Sequence, residues 1–496
     1  MGLLAGALLL LVVVRSAWVS DDAYISFRTV HNFIEGHGLR WNVAERVQVF
    51  THPLWLFLVA ALYALGADVY GASLGLSFAL TAGVAVVLTR GGWWGPAAVV
   101  VLAASKSFVD YSTSGLENPL LHLLLLLFLR ELLLLPRSGQ GSPGEGERRL
   151  LRMTLLGSLL ALTRPDAVLY VAPGIALAML RVGLRSALPR VALGLAPLLA
   201  WEAFSLVYYG DLVPNTARAK VGFTSGEWTR ARMGLHYLLV SLRADPVLGP
   251  AILGGIAGAA WTRDVRFLAA AVGVLAAVAY LFVIGGDFMI GRFLAAPLLV
   301  SVVLLARAAD RAAAGPRWAA VLVVAALVVS LTSASSPFRV GPDYESSAVA
   351  DPGGLADERG YYFAVTGLFG RSRCRRSVPP VRWDGRPPRV LAYGGGMVPF
   401  SAGPGGHYVD IYAVTEPLLA RVPLTLEGAY RPGHLPREIP VGYLESLESG
   451  QNLLVDPATA ALWDDVRLVT RGPLWTRARW RAIRRLLLHG GARDRP

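Results

Sequence analysis

The stretch VSDDAYISF, residues 19–27, sets two adjacent carboxylates, Asp21 and Asp22, just after the first apolar run of the chain. Carboxylates at the rim of a greasy helix are costly to desolvate, and the one obvious neighbour of opposite charge is Arg28. Two like charges side by side raise the pKa of one of them, which suits a group that takes and returns a proton. The plainer reading is that the doublet stops the helix and marks the water boundary. Cations recur in comparable settings, each near the end of an apolar run: Arg164 in TRPD, Arg218 and Lys220 in NTARAK, and Arg292 in GDFMIGR. Such groups stabilise negative charge developing on oxygen, or else simply snorkel to the interface. Glu117 in STSGLENPL and Asp287 in GGDFMIGR add carboxylates beside Gly-rich breaks. These could hold hydroxyl groups or pair with nearby arginines. His31, His37 and His52 share the segment that follows the doublet, where a lone histidine is more often structural. Tyr24, Trp41 and Trp55 could stack on flat faces, but aromatic residues at a membrane interface need no such reason. Either Asp could instead hold a divalent cation; no His or Cys cluster supports a dedicated metal site, so metal dependence is open.

The elements that must position these residues are membrane helices. Hydrophobic residues make up 54% of the 496 and charged ones 16%, where a soluble domain carries about a quarter charged. Apolar runs near the ~20 residues that cross a bilayer recur over the first two thirds. They cover residues 3–19, 53–66, 70–89, 94–108, 116–135, 150–163, 166–181, 191–209, 247–261, 266–284, 292–308 and 317–334. The first is read as a retained helix rather than a leader, because RSAWVSDD offers a poor cleavage site. The net charge of +13, from 47 Lys+Arg against 34 Asp+Glu, lies largely in short Arg-rich loops. The positive-inside bias accounts for it without nucleic acid, and places loops 137–152, 181–190, 262–266 and 307–317 in the cytoplasm. Segments 20–52, 163–166, 210–246, 285–292 and everything after 335 then face outward. That parity needs about eleven crossings, with either 53–66 or 94–108 re-entrant or interfacial. The single cysteine, Cys374, excludes an intrachain disulfide and a thiolate metal site. The expected division is a transmembrane domain over 1–335 and an extracytoplasmic α/β domain over 336–496. Strand-like runs at 389–396 and 407–414 and short helices at PLLARVP, GYLESLES and TRARWRAIRRLLL belong to the latter. The basic stretch 476–488 rests on lipid headgroups or is an ordinary solvated helix. YGGGMV lacks the spacing of a dinucleotide fingerprint and reads as a packed turn.

The order DDAYISFR…EGHGL…N…ER, STSGLENPL, LTRPDAVL, GDLVPNTARAKVG, GGDFMIGRFLAAPLL, DIYAVTEPLLARVP and RPGHLPREIPVGYLESL runs along the whole chain. In it the chain resembles the multi-pass GT-C glycosyltransferases that use polyprenyl-phosphate sugars, and among them the actinobacterial terminal arabinofuranosyltransferases. It departs from relatives at VFTHPLW, around His52.

The resemblance implies a plasma-membrane enzyme that moves a sugar, D-arabinofuranose, from a polyprenyl phosphate to cell-wall arabinan, in arabinogalactan and lipoarabinomannan, on the outer face. Asp21 or Asp22 would then be catalytic. Lys220, Arg292, Arg218 and Arg164 would grip the donor phosphate, and Glu117, Asp287, His52, Arg28 and Tyr24 would meet sugar or acceptor. The tail would cover the site and help to hold the glycan. A β linkage formed from a β-configured donor is net retention, which a single general base does not explain; one Asp would act as nucleophile or ion-pair stabiliser. A transporter or flippase of a lipid-linked substrate is the alternative, and would need ionisable groups at mid-membrane, for which Glu202 and His122 are the candidates. A non-catalytic scaffold for envelope synthesis is the other.

Overall fold

The structure is a computed structural model and describes residues 1–90, 92–136, 142, 144–221, 227–341, 344, 354–370, 389–392, 394–424 and 433–489. Cys374, Tyr393 of the glycine turn and most of the basic 137–144 loop lie outside the described residues. Helix dominates, and every apolar run read as a span carries one. Among the described residues four helices are long and apolar enough to cross a membrane: Val69–Thr89, Pro165–Val182, Val265–Ile284 and Arg292–Arg311. Two bent pairs, Leu184–Gly194 with Ala196–Tyr208 and Glu227–Ala244 with Leu248–Thr262, bring the number to at most six. By length and composition, four to six of the roughly eleven expected crossings are matched among the described residues. The reason is length: at about 1.5 Å per residue, Val265–Ile284 with its 20 residues covers about 30 Å, the thickness of a bilayer core. The two segments whose crossing was in question form helices of 12 and 11 residues, Pro53–Ala64 and Trp94–Ala104, each about 17–18 Å.

The chain divides into two compact units, each built from three stretches of sequence. One unit holds Met1–Ser20, Tyr70–Leu198 and Glu227–Arg376; the other holds Asp21–Val69, Leu199–Gly226 and Ser377–Pro496.

In the first unit the same helices carry opposite chemistry at their two ends. At one end Asp264 accepts from the backbone N–H of Arg266 and pairs with the guanidinium groups of Arg266 and Arg311, the latter at 2.9 Å. Arg266 also reaches the carbonyls of Leu133 and Leu135, Arg181 that of Pro136, and Arg190 pairs with Glu147. The basic turns thus meet at one end. Between the ends the helices approach through glycine, since apolar helices pack by close backbone contact rather than by water exclusion. A Cβ on Gly255 would lie 2.3 Å from the Ser301 carbonyl oxygen, and one on Gly273 2.9 Å from that of Tyr170.

The second unit has the helix Asp21–Ile34, an apolar core and a two-stranded sheet. The strands Arg389–Ala392 and Gly406–Val409 run parallel, with Arg389 opposite Gly406 and Ala392 opposite Val409. The core includes Leu418, Leu419, Tyr443, Trp463, Val466 and Ile483. The helix Arg477–His489 turns Ala482, Ile483 and Leu486 into that core. Its Arg479 is fully buried and donates to the carbonyls of Val469, Val207 and Tyr208. Its apolar face is therefore occupied by protein and is not the lipid-resting surface that the sequence allowed.

Gly255→Ala tests the close packing of the first unit. In a helix this change ordinarily stabilises by about 1 kcal/mol, whereas contact with Ser301 predicts a net loss of about 1–3 kcal/mol. Thermal unfolding of the purified protein in detergent reads the sign.

Candidate active site

The helix Asp21–Ile34 opens on the doublet, where the positive end of the helix dipole favours negative charge. The two carboxylates then part company. Asp21 accepts two backbone N–H bonds, from Gly396 at 2.8 Å and from Met397 at 2.8 Å. These amides belong to the glycine run of the tail. Gly396 must be glycine, because a Cβ there would sit 2.2 Å from the Asp21 carbonyl oxygen and 2.9 Å from the Ile25 nitrogen. The run leads into the short helix Met397–Ala402 and packs on the doublet's own helix. Burial raises the pKa of Asp21, the two amides pull it back, and the charge of Asp22 adds to the rise. Asp22 is half-buried and, among the described residues, makes no hydrogen bond or ion pair.

A third carboxylate, Asp410, stands within electrostatic range of Asp22. It follows the strand Gly406–Val409 and accepts from the amides of Tyr412 at 2.9 Å and Thr415 at 3.1 Å. Burial pushes its pKa up to about 6, and the charge of Asp22 contributes. Sequence reasoning quoted DIYAV as a motif but did not single out this residue. The signal was an Asp closing a strand-like run, and without knowing the strand's neighbours nothing tied it to the doublet.

Arg28 does not pair with the doublet. It is 1% exposed and donates to the carbonyls of Trp41, Pro399, Gly403 and Gly406. Its guanidinium lies 5.0 Å from the ring centres of both Trp41 and Tyr408. Burial lowers its pKa to about 10, so it stays charged at neutral pH. Tyr24 is packed edge-on to Phe27 and Phe400, and His52 Nε2 lies 2.8 Å from the Ser26 hydroxyl. These three side chains build the protein interior, and none is open to a sugar in this arrangement. Arg218 pairs with Asp211 at 2.7 Å, and Asp211 also takes Arg421 at 2.9 Å. Lys220 is half-buried on the short helix Asn215–Val221, close to Gly433.

In the first unit Glu117, Arg164, Asp287 and Arg292 come together. Glu117 Oε1 accepts from Arg164 at 3.2 Å and from Arg292 at 3.2 Å. Arg164 also pairs with Asp166 at 2.8 Å, the self-contained turn of the TRPD motif, and Arg292 lies 3.7 Å from Asp287. Phe293 stacks on Arg164 at 4.5 Å. Two cations therefore face three carboxylates, so these arginines are already balanced by protein charge. A cleft lined by Asn118, Arg164, Asp166, Tyr170, Arg292 and Phe293 opens beside them.

No protein-family model matches the chain, and no solved structure does. Among curated proteins it is similar to the terminal beta-(1->2)-arabinofuranosyltransferase of Mycobacterium tuberculosis, 28% identical over 410 residues, which is 71% of this chain and 63% of that protein. It is also similar to the protein of the same name from Corynebacterium glutamicum, 28% identical over 333 residues, 57% of this chain and 46% of that one. The matched segments thus span less than two thirds of either relative.

The split within the doublet predicts different costs. Asp21→Asn replaces one acceptor by a donor opposite a backbone N–H and loses about 1–3 kcal/mol of stability, while Asp22→Asn leaves stability within about 0.5 kcal/mol. Unfolding midpoints of the two variants decide it. Asp410 adds a pH dependence. Its folded pKa of about 6 lies above the ordinary 3.8, so its stabilising effect is complete below the ordinary value and fades as pH rises through 6. Melting curves from pH 4 to 7 should show wild type losing stability relative to Asp410→Asn across that window.

Proposed function

We propose that this chain is an integral-membrane glycosyltransferase that transfers D-arabinofuranose from a polyprenyl phosphate to an arabinan acceptor on the outer face of the membrane. The observation that carries the proposal is the likeness to two curated proteins of one name over 57–71% of the chain. The acidic first turn of Asp21–Ile34 supports it chemically. In the transfer the bond between the anomeric carbon and the phosphate oxygen breaks, an acceptor oxygen takes the carbon, and the acceptor proton must leave. Asp22 has both carboxylate oxygens available for that proton or for the developing positive charge of the sugar ring. Asp410, close by and titrating near 6, is suited to hold a proton in one step and release it in another. Asp21 serves as the positioning residue that fixes the tail turn against this helix. Lys220 and Arg218, in the unit that holds the doublet, stand as candidates for the donor phosphate; Arg164 and Arg292 are further candidates, with Glu117, Asp166 and Asp287 already engaging their guanidinium groups. The Glu117 bridge would also limit their strength as anchors, since the carboxylates compete for the same cations.

The test is sugar transfer by the purified chain from a short synthetic prenyl-phosphoryl arabinofuranose to an arabinofuranoside oligomer, with the new linkage assigned by NMR. Asp22→Asn is expected to cut transfer at least about 100-fold, with Asp410→Asn shifting the acid limb of the pH–rate profile. Undiminished transfer by Asp22→Asn would remove it from the chemistry. Transbilayer movement of the donor without transfer would favour the flippase reading, in which Glu202 and His122 become the residues to vary.

A further inference from the structure

Away from the doublet, the second unit brings Glu45, His407 and Glu416 together, three buried side chains from two distant stretches of chain. One ligand atom from each lies within 4.8 Å of the others, and Glu45 Oε1 stands 3.7 Å from His407 Nε2. Donors around a zinc-sized ion at about 2.0–2.2 Å lie roughly 3–4 Å apart, so a shift of under about 1 Å closes the set. Glu416 is fully buried; its Oε1 accepts from the Tyr443 hydroxyl and the Leu418 amide, but its Oε2 has no partner among the described residues. An unanswered buried carboxylate oxygen is expensive, and it marks a place where something else belongs.

Charge points the same way. The cluster holds two carboxylates, and Arg471, 3.2 Å from Glu45 Oε2, answers one of them. Asn42 donates to Glu45 Oε1 at 3.1 Å and lies 3.5 Å from His407 Nε2, the kind of outer partner that orients metal ligands. The remaining negative charge therefore needs either a proton or a metal cation.

We infer that Glu45, His407 and Glu416 bind one divalent transition-metal ion, with Zn2+ the best match to an imidazole and two carboxylates. The ion ties the segment after the helix Asp21–Ile34 to the strand Gly406–Val409 and to the turn at Glu416. Because Asp410 follows that strand, the ion also fixes the loop that carries it. The role is structural, and it does not depend on the glycosyltransferase reading.

The test uses the full chain in detergent, stripped with EDTA, dialysed, and reloaded with Zn2+ or, in a separate arm, Mn2+. Metal content is read by mass spectrometry and stability by thermal unfolding. About one equivalent bound, with a rise in melting temperature on the order of 5–10 °C at a hundredfold excess over the dissociation constant, supports the site. Glu416→Gln keeps the size of the side chain and its bond from Tyr443, and should lose both the bound metal and the metal-dependent shift. His407→Ala should do the same where it folds. Wild type that binds neither ion, or Glu416→Gln that binds as well as wild type, overturns the inference; a protonated Glu416 then explains the cluster, with Glu416→Gln as stable as wild type and indifferent to metal.

Discussion

In the second unit, charged side chains of the helix Asp21–Ile34 end on backbone groups of the tail. Arg28 points its donors at the carbonyls of Pro399, Gly403 and Gly406, and Asp21 points its two oxygens at the amides of Gly396 and Met397. One helix thus offers a cation to carbonyls and an anion to amides of the same short stretch, residues 396–406. Loop backbone that is removed from water must find such partners, since each unmet group costs about 1–3 kcal/mol. A guanidinium, with five donors in a fixed fork, answers several carbonyls at once; lysine in its place could not span the same set.

That constraint decides what is left for chemistry. A carboxylate holding two amides is poorly placed to accept a proton from elsewhere, so the first Asp of the doublet becomes scaffold and the second stays available. The same reasoning lowers the rank of Arg28, Tyr24 and His52 as sugar contacts, because their polar atoms or faces are engaged inside the protein. It also raises Asp410, which follows the strand Gly406–Val409 and stands within electrostatic range of Asp22. In the first unit the balance differs: Glu117 takes two arginines, and neither is a bare cation waiting for a phosphate.

What the sequence made legible follows the range of the interactions involved. Helix positions came from apolar runs, a local signal, and nearly every run matches a helix. The glycine-rich character of YGGGMV and the Arg164–Asp166 pair were also readable, because both are settled within a few residues. Their partners were not: Asp21 meets the glycine turn across 375 residues of chain, and no spacing rule reaches that far. The count of crossings depends on a different property. Hydropathy windows register composition, whereas crossing depends on unbroken length, and the helix pair Glu227–Ala244 and Leu248–Thr262 is bent by 105° at its break. The second unit likewise joins stretches far apart in sequence: the segments 21–69 and 199–226 belong to the same unit as the tail, Ala219 packing among the tail's core residues.

The first unit also carries an argument about sidedness that rests on its own helices. Asp264, Arg266, Arg311, Arg181 and Arg190 gather near the ends of helices whose other ends lead to Glu117, Asp287 and Arg292. Val265–Ile284 begins beside Asp264 and stops just before Asp287, and the span Arg292–Arg311 names both of its ends in arginine. The basic end has several guanidinium groups on short turns, which is the pattern retained on the cytoplasmic side. The other end is balanced, two cations against three carboxylates, and gives no such bias. The two ends of one set of helices are thus chemically distinct, a basic end gathered on Asp264 and an end where arginines and carboxylates answer each other.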